Sequence, residues 1–309
     1  MRRNRGVALV LVMWIAILLT VIASSFMLEA RTDTLVVHNS LSNARAEAAA
    51  DAGVHRAVYE LYRTDNAVEA WRRDGSAHDW AFDGVPVRVE LSDESGKIDI
   101  NTAADPLLRG LLISVGLNDD EAAKLLDAIL DWRDADSLKR ANGAEENEYR
   151  AAGLAYKPAN APFQAIEELQ LVLGMRPAIY RRLAPLITVF SRQPGVNAQL
   201  ASREVLLAIP GITTQIVDEY IAHREEARAA GLPGPILPQA AAFKATAAMA
   251  ATIRSEARLD DGTVFVREAV ALLRPIPRKP VTFLAWREGS TESAAEQPPK
   301  DSNPPMAAR

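Results

Sequence analysis

The chain has 309 residues, is 49% hydrophobic and 24% charged, and carries a formal net charge of −5. That apolar content is ample for a core, and the length suggests one or two domains. The charge balance argues against general nucleic-acid binding. With no cysteine, any stapling beyond the core must come from elsewhere, such as a metal.

The chain opens on a short basic leader, Arg2, Arg3 and Arg5, that ends at Gly6. Residues 7–28 follow without one charged residue, and Glu29 closes the run. About 20 apolar residues cross a bilayer core as a helix. The run is longer than the roughly 7–15 residues of an ordinary secretory signal. Two readings fit: an uncleaved anchor, with the arginines cytoplasmic and the bulk of the chain exported, or a cleavable leader. A basic leader ending in Gly before the apolar run resembles a type IV prepilin signal. The resemblance implies that a prepilin peptidase cuts after Gly6 and leaves Val7 as the new N-terminus. Pilins carry Glu at the fifth position after the cut, where it pairs with a neighbour's terminal amine. Here that position is Leu11. A lone carboxylate in hydrocarbon is costly without a partner, so Leu11 suits a subunit with no neighbour above it, the tip of a filament. The plainer reading makes Leu11 one more lipid-facing residue.

Residues 29–74 read as helix, rich in Ala, Leu, Glu and Arg without proline. Residues 86–91 and 97–101 alternate apolar and polar about a turn at 92–96 and read as a β-hairpin. Residues 102–249 read as several short helices. Strand pattern returns at 253–259 and 263–273, on either side of Asp260-Asp261-Gly262, and again at 281–286. From Glu288 the tail, rich in Pro, Ser, Glu and Ala, reads as disordered. The expected organisation is therefore a leader at 1–6, a transmembrane helix at 7–28, and a helix with first strands at 29–101. An inserted α-helical domain at 102–249, strands at 250–287 and a tail at 288–309 complete it. The fold class is α+β: a long N-terminal helix packed on an antiparallel sheet, with a large all-α domain inserted between strands.

The helical block holds weak internal similarity. Units around Gly116-Leu117, Leu173-Gly174-Met175 and Ile209-Pro210-Gly211-Ile212 each read as helix, tight turn, helix. They resemble the helix-hairpin-helix motif, which elsewhere offers backbone N–H groups to DNA phosphate. Each turn here has a single glycine, and Asn118, Asp119, Asp120 and Glu121 after the first would repel phosphate. Structural use of the hairpins is favoured.

Asp131, Asp134, Asp136, Glu145, Glu146 and Glu148 crowd one stretch. Asp131 and Asp134 share a helix face, and Asn142-Gly143 permits a turn that returns Glu145 and Glu146 towards them. Converging carboxylates suit Ca²⁺, which takes six to eight oxygen ligands. Zinc is disfavoured, for there is no Cys and the His residues at 38, 55, 78 and 223 are scattered. The competing reading is a solvated acidic patch interleaved with Arg133, Lys139 and Arg140.

Several segments together resemble the minor pseudopilin K family of type II secretion systems. They are Gly6 with Leu11, the run 93–99 (DESGKID), the run 131–136 (DWRDAD) with Gly143-Ala144-Glu145, Asn160-Ala161-Pro162-Phe163 with Glu167-Glu168-Leu169, and the run 181–185 (RRLAP). The resemblance implies a type IV pilin-like fold with the helical domain inserted in the sheet. It implies one or two structural Ca²⁺ ions, with Asp131, Asp134, Asp136, Glu145 and Glu146 matching the acidic motif, and methylation of the processed N-terminus. It further implies a non-enzymatic tip subunit in the bacterial inner membrane, single-pass, with its soluble part in the periplasm. Its implied partners are the minor pseudopilins I and J, with H as a further candidate, and secreted substrates. The alternative is a membrane-anchored helix-hairpin-helix protein that captures DNA outside the cytoplasm.

Overall fold

A computed structural model of the chain describes residues 5–63, 71–245, 249–273 and 281–291. One helix, α1 (Arg5–Tyr62), runs unbroken through the apolar run and on into the folded part. Its apolar stretch has a mean hydropathy of 2.6 and none of it is buried in the protein. From Ser42 onward one face turns inward, and the residues on it are small: Ala46, Ala49, Ala50, Gly53, Val54 and Ala57. Small side chains let the sheet approach closely. A Cβ on Gly53 would stand 2.7 Å from Val87 Cγ1.

Against this face lies a five-stranded antiparallel sheet in the order β1 (Asp74–Phe82), β2 (Val85–Asp93), β5 (Ala250–Arg258), β6 (Val264–Leu272), β7 (Phe283–Glu288). Alternation follows the two-residue period of a strand. Val87, Val89, Leu91, Ile253, Ala257, Ala269 and Ala271 point at α1 and form one core. The opposite face carries a cross-strand row of alternating charge, Glu90, Arg254, Glu268 and Arg287. Opposite charges directly across a ladder stabilise it. Arg267 stands on the inner face, where Asp51 and Glu47 of α1 each take it at 2.6 Å.

The expected hairpin between 86–91 and 97–101 does not form. The partner of β2 on that side is β1, an edge strand within the span read as helix or left unassigned. Ile98-Asp99 (β3) instead pairs in parallel with Ile187-Thr188 (β4) and belongs to the helical unit. The long helix also ends earlier than residue 74, at Tyr62. The disorder expected from Glu288 falls mostly on 292–309, outside the described residues; 288 closes β7. Residues 1–4 of the leader also lie outside them.

Between β2 and β5 the chain builds a second hydrophobic core of its own, including Leu107, Leu111, Ile129, Trp132, Tyr149, Phe163 and Leu206. Its helices are α2 (Asp105–Ser114), α3 (Asp119–Arg133), α4 (Glu146–Ala151), α5 (Pro177–Leu183), α6 (Arg203–Leu207) and α7 (Thr214–Ala229). Gly116, Gly174 and Gly211 each take positive φ in the tight turns before α3, α5 and α7, where a side chain would be strained. Asn118 and Thr213 then cap α3 and α7 through their side chains.

Glu94, 2% exposed, fastens the two parts together. Its carboxylate takes Lys97 Nζ at 2.8 Å, Thr252 Oγ1 of β5 at 2.6 Å, and the hydroxyl of Thr188. An ion pair of 2.8 Å between Arg287 and Glu167 adds to the joint. The inserted domain leaves from the end of β2 and returns at the start of β5. At the other end of the sheet, the turns at Asp83-Gly84 and Asp260-Asp261 lie beside His38 and Ser42 of α1. The insert therefore caps the end of the sheet remote from the apolar half of α1.

Candidate metal centre

The acidic segment folds into a tight corner between α3 and α4. Helix α3 starts with a capping box between Asn118 and Glu121 and buries Leu125, Ile129 and Leu130 on one side. Asp131 stands in the last turn on another face of the helix and is also fully buried, with 0% exposure. A carboxylate there faces the negative end of the helix dipole as well as the loss of water. Its two oxygens receive the backbone N–H of Arg140 at 3.3 and 3.2 Å. Asp134 is the C-cap of α3, and its Oδ1 is buried with no hydrogen-bond partner. Asp136 accepts the N–H of Leu138 at 2.8 Å and holds the next turn of the loop.

Glu145 precedes α4 and is 7% exposed, and its Oε1 is also buried without a partner. Burial raises its pKa first, and the negative charges of Asp131, Asp134, Asp136 and Glu148 push it further. Burial likewise raises Asp131 and Asp134, with Asp134 acting on the first and Asp136 on the second. Four of the expected residues, Asp131, Asp134, Asp136 and Glu145, thus share one electrostatic neighbourhood. Glu146 does not join them. It is exposed and pairs with Arg150 at 2.5 Å and Lys157 at 3.4 Å.

Two supports were not among the expected site residues. Asn160, at φ 47°, donates from Nδ2 to the carbonyl of Asp136 at 2.7 Å, and its own Oδ1 is buried and unpartnered. Its left-handed backbone, which suits Asn, leaves no distinct trace in the sequence. Behind the corner, Tyr149 is fully buried against Trp132 and takes the N–H of Leu173 on its hydroxyl at 2.9 Å. Burial pushes the Tyr149 phenol up to about 12.

The donor set is all oxygen, and two buried carboxylate oxygens lack partners. This fits a hard cation. Among the described residues, no three acidic or imidazole side chains are already closed on a single point as a ready-made metal cluster. Of the residues expected at a leader cut, Gly6 and Val7 lie within α1, and Leu11 is exposed on it.

These features define a class: an α+β protein with a membrane-length N-terminal helix on an antiparallel sheet and a large helical insertion. The family model for type II secretion system (T2SS) protein K matches residues 89–194. Type II secretion system protein K of Pseudomonas aeruginosa is 30% identical over 245 residues, covering 71% of this chain and 73% of the relative. The protein of the same description from Klebsiella pneumoniae is 29% identical over 229 residues, covering 67% and 70%. The chain belongs to the type II secretion system protein K family. A chain in the crystal structure of the GspK–GspI–GspJ complex from enterotoxigenic Escherichia coli shares the fold, with a TM-score of 0.57 and 16% identity. That match covers 85% of this chain and 100% of the other.

Proposed function

We propose that this chain is the minor pseudopilin at the tip of the type II secretion pseudopilus. It assembles there with the minor pseudopilins I and J, and it initiates the filament that supports export of folded proteins across the outer membrane. In this reading the prepilin peptidase cuts after Gly6. Helix α1 then holds the chain in the inner membrane, with the sheet and insert in the periplasm. The role is structural, not enzymatic.

The observation that carries this reading is the place of the insert. It caps the end of the sheet remote from the membrane helix, so a second subunit stacked above would meet its bulk. Leu11 agrees, because a subunit with nothing above it has no partner amine for a buried carboxylate. The solved relative lends support through its composition, since that crystal contains GspI and GspJ.

Calcium belongs to the same proposal. Asp131, Asp134, Asp136 and Glu145 would hold the ion, which supplies the charge that their crowded carboxylates lack and ties α3 to α4. Glu146 is left out, since its carboxylate serves Arg150 and Lys157.

The test is genetic. Deleting the gene should abolish export of type II substrates, and the full chain should restore it. A chain whose insert is replaced by a short turn between residues 96 and 250 should not restore it. Normal export in the deletion strain would overturn the proposal.

A further inference from the structure

Arg140 stands where a cation would act. Its Nε lies 3.5 Å from Asp131 Oδ1, and its Nη2 lies 3.9 Å from Asp134 Oδ2. The neighbouring cations are engaged elsewhere. Lys139 pairs with Glu148 at 3.0 Å, and Arg133 turns towards Asp105 at 3.9 Å and the carbonyl of Ile100. The charge of Arg133 still reaches Asp134, but Arg140 is the guanidinium in contact with both Asp131 and Asp134.

The two contacts are long for a charge-assisted hydrogen bond, which runs at about 2.7–2.9 Å. The Arg140 side chain is 43% exposed, while Asp131 beneath it is fully buried. A loosely held, half-exposed side chain can swing into solvent at small cost. Its backbone N–H, which also serves Asp131, need not move with it. Calcium binds carboxylate oxygens at 2.3–2.6 Å. An ion at that distance from Asp131, Asp134 and Glu145 would draw on the unpartnered Asp134 Oδ1 and Glu145 Oε1 beside the guanidinium contacts on Asp131 Oδ1 and Asp134 Oδ2, and the two positive charges would repel. A guanidinium left in place therefore opposes the ion through charge repulsion.

We infer that Arg140 is a built-in competitor for the cation site: a displaceable counter-ion that steadies the carboxylates when calcium is scarce and sets the concentration at which calcium takes over. This rests on the calcium reading above. The side chain supplies charge to Asp131 and Asp134 in one condition and opposes the ion in the other. Removing it should therefore have effects of opposite sign.

The experiment titrates Ca²⁺ into the full chain in detergent by calorimetry, for the wild type, Arg140→Gln and Lys139→Gln, with melting temperatures in EDTA and in saturating Ca²⁺. Arg140→Gln should bind about tenfold more tightly, equivalent to about 1.4 kcal/mol. It should melt below the wild type in EDTA and at or above it in calcium. Lys139→Gln removes the same charge one residue away from the carboxylate pair and should change the affinity by less than about twofold. Arg140→Lys keeps the charge without the planar fork and should fall between, which preserves the test if Arg140→Gln folds poorly. Unchanged or weaker binding by both Arg140 variants would overturn the inference, as would equal tightening by Lys139→Gln. If folded wild type and Arg140→Gln both fail to bind Ca²⁺, the calcium reading itself falls, and this inference with it.

Discussion

Gly143 is the sharpest probe of the acidic corner. A Cβ built on it would stand 1.9 Å from Asp131 Oδ2 and 2.7 Å from Asp131 Cγ, against about 3.4 Å for an ordinary contact. In Gly143→Ala the carboxylate must retreat by about 1.5 Å, the difference between 3.4 and 1.9 Å. Gly143 lies outside the left-handed backbone region, so alanine brings no backbone strain. It gains about 0.4–1 kcal/mol by restricting the unfolded chain. Against that, Asp131 loses its backbone donor at Arg140 and stays buried. Hydrogen bonds to charged groups are worth about 1.5–3 kcal/mol. The expected balance is a loss of about 2 kcal/mol, or about 4–8 °C at the melting point for a domain of this size. Calorimetry of the full chain in EDTA and in Ca²⁺ measures both effects, and the gain from calcium should shrink as Asp131 is displaced. A variant that melts with the wild type and keeps its full calcium shift would refute this placement of Asp131.

Other consequences test separate parts of the structure. Arg267→Met removes two ion pairs of 2.6 Å to α1 and the stacking of the guanidinium over Phe265 at 4.9 Å and Trp286 at 5.3 Å. Its partners Glu47 and Asp51 are partly solvated, so urea denaturation should show a loss of about 1–3 kcal/mol. An unchanged midpoint would remove this fastening from the account. The hydroxyl of Ser42 and the N–H of Thr263 hold the Asp261 carboxyl down at about 2. Ser42→Ala should move it up towards the ordinary value of about 3.9, as read by NMR titration. Because the folded value is depressed, this contact stabilises above the unfolded pKa and is lost as pH falls towards about 2. The carboxyls of Asp131, Asp134 and Glu145 are shifted the other way. Their contribution without an ion is fully present below the unfolded carboxylate pKa and is lost as pH rises through the raised values. Calcium binds the ionised forms, so its effect on the melting temperature should grow from about pH 4 to about pH 7. A calcium shift independent of pH would contradict this.

The strands β2, β5, β6 and β7 were legible because one face of each packs on α1 and the other meets charge or solvent, which writes alternation into the sequence. The helix α1 was legible through its composition, its charge-free apolar run and helical spacing, although the buried face falls on Ala46, Ala49, Ala50, Gly53, Val54 and Ala57. The edge strand β1 was not, since Asp74, Gly75, Ser76 and His78 carry little strand preference and only one side of it is paired. Ile98-Asp99 alternates like a strand, but its partner Ile187-Thr188 lies some ninety residues on, and no local pattern announces a parallel pairing of that range. In the acidic corner, spacing brought out Asp131, Asp134, Asp136 and Glu145. Spacing also pointed to Glu146, whose side chain the i,i+4 relation to Arg150 draws along the outer face of α4, away from the other four. The position of Arg140 depends on the path of the loop from Ala135 to Gly143, which composition does not set.

Assembly with the minor pseudopilins I and J, on which the proposed role depends, is open to one direct measurement. The full chain, tagged and purified from bacterial inner membranes, is analysed by mass spectrometry for co-eluting pseudopilins. Pseudopilins I and J should be recovered in equimolar amounts with the chain. A chain recovered without either of them, while the pseudopilus still forms, would contradict that assembly.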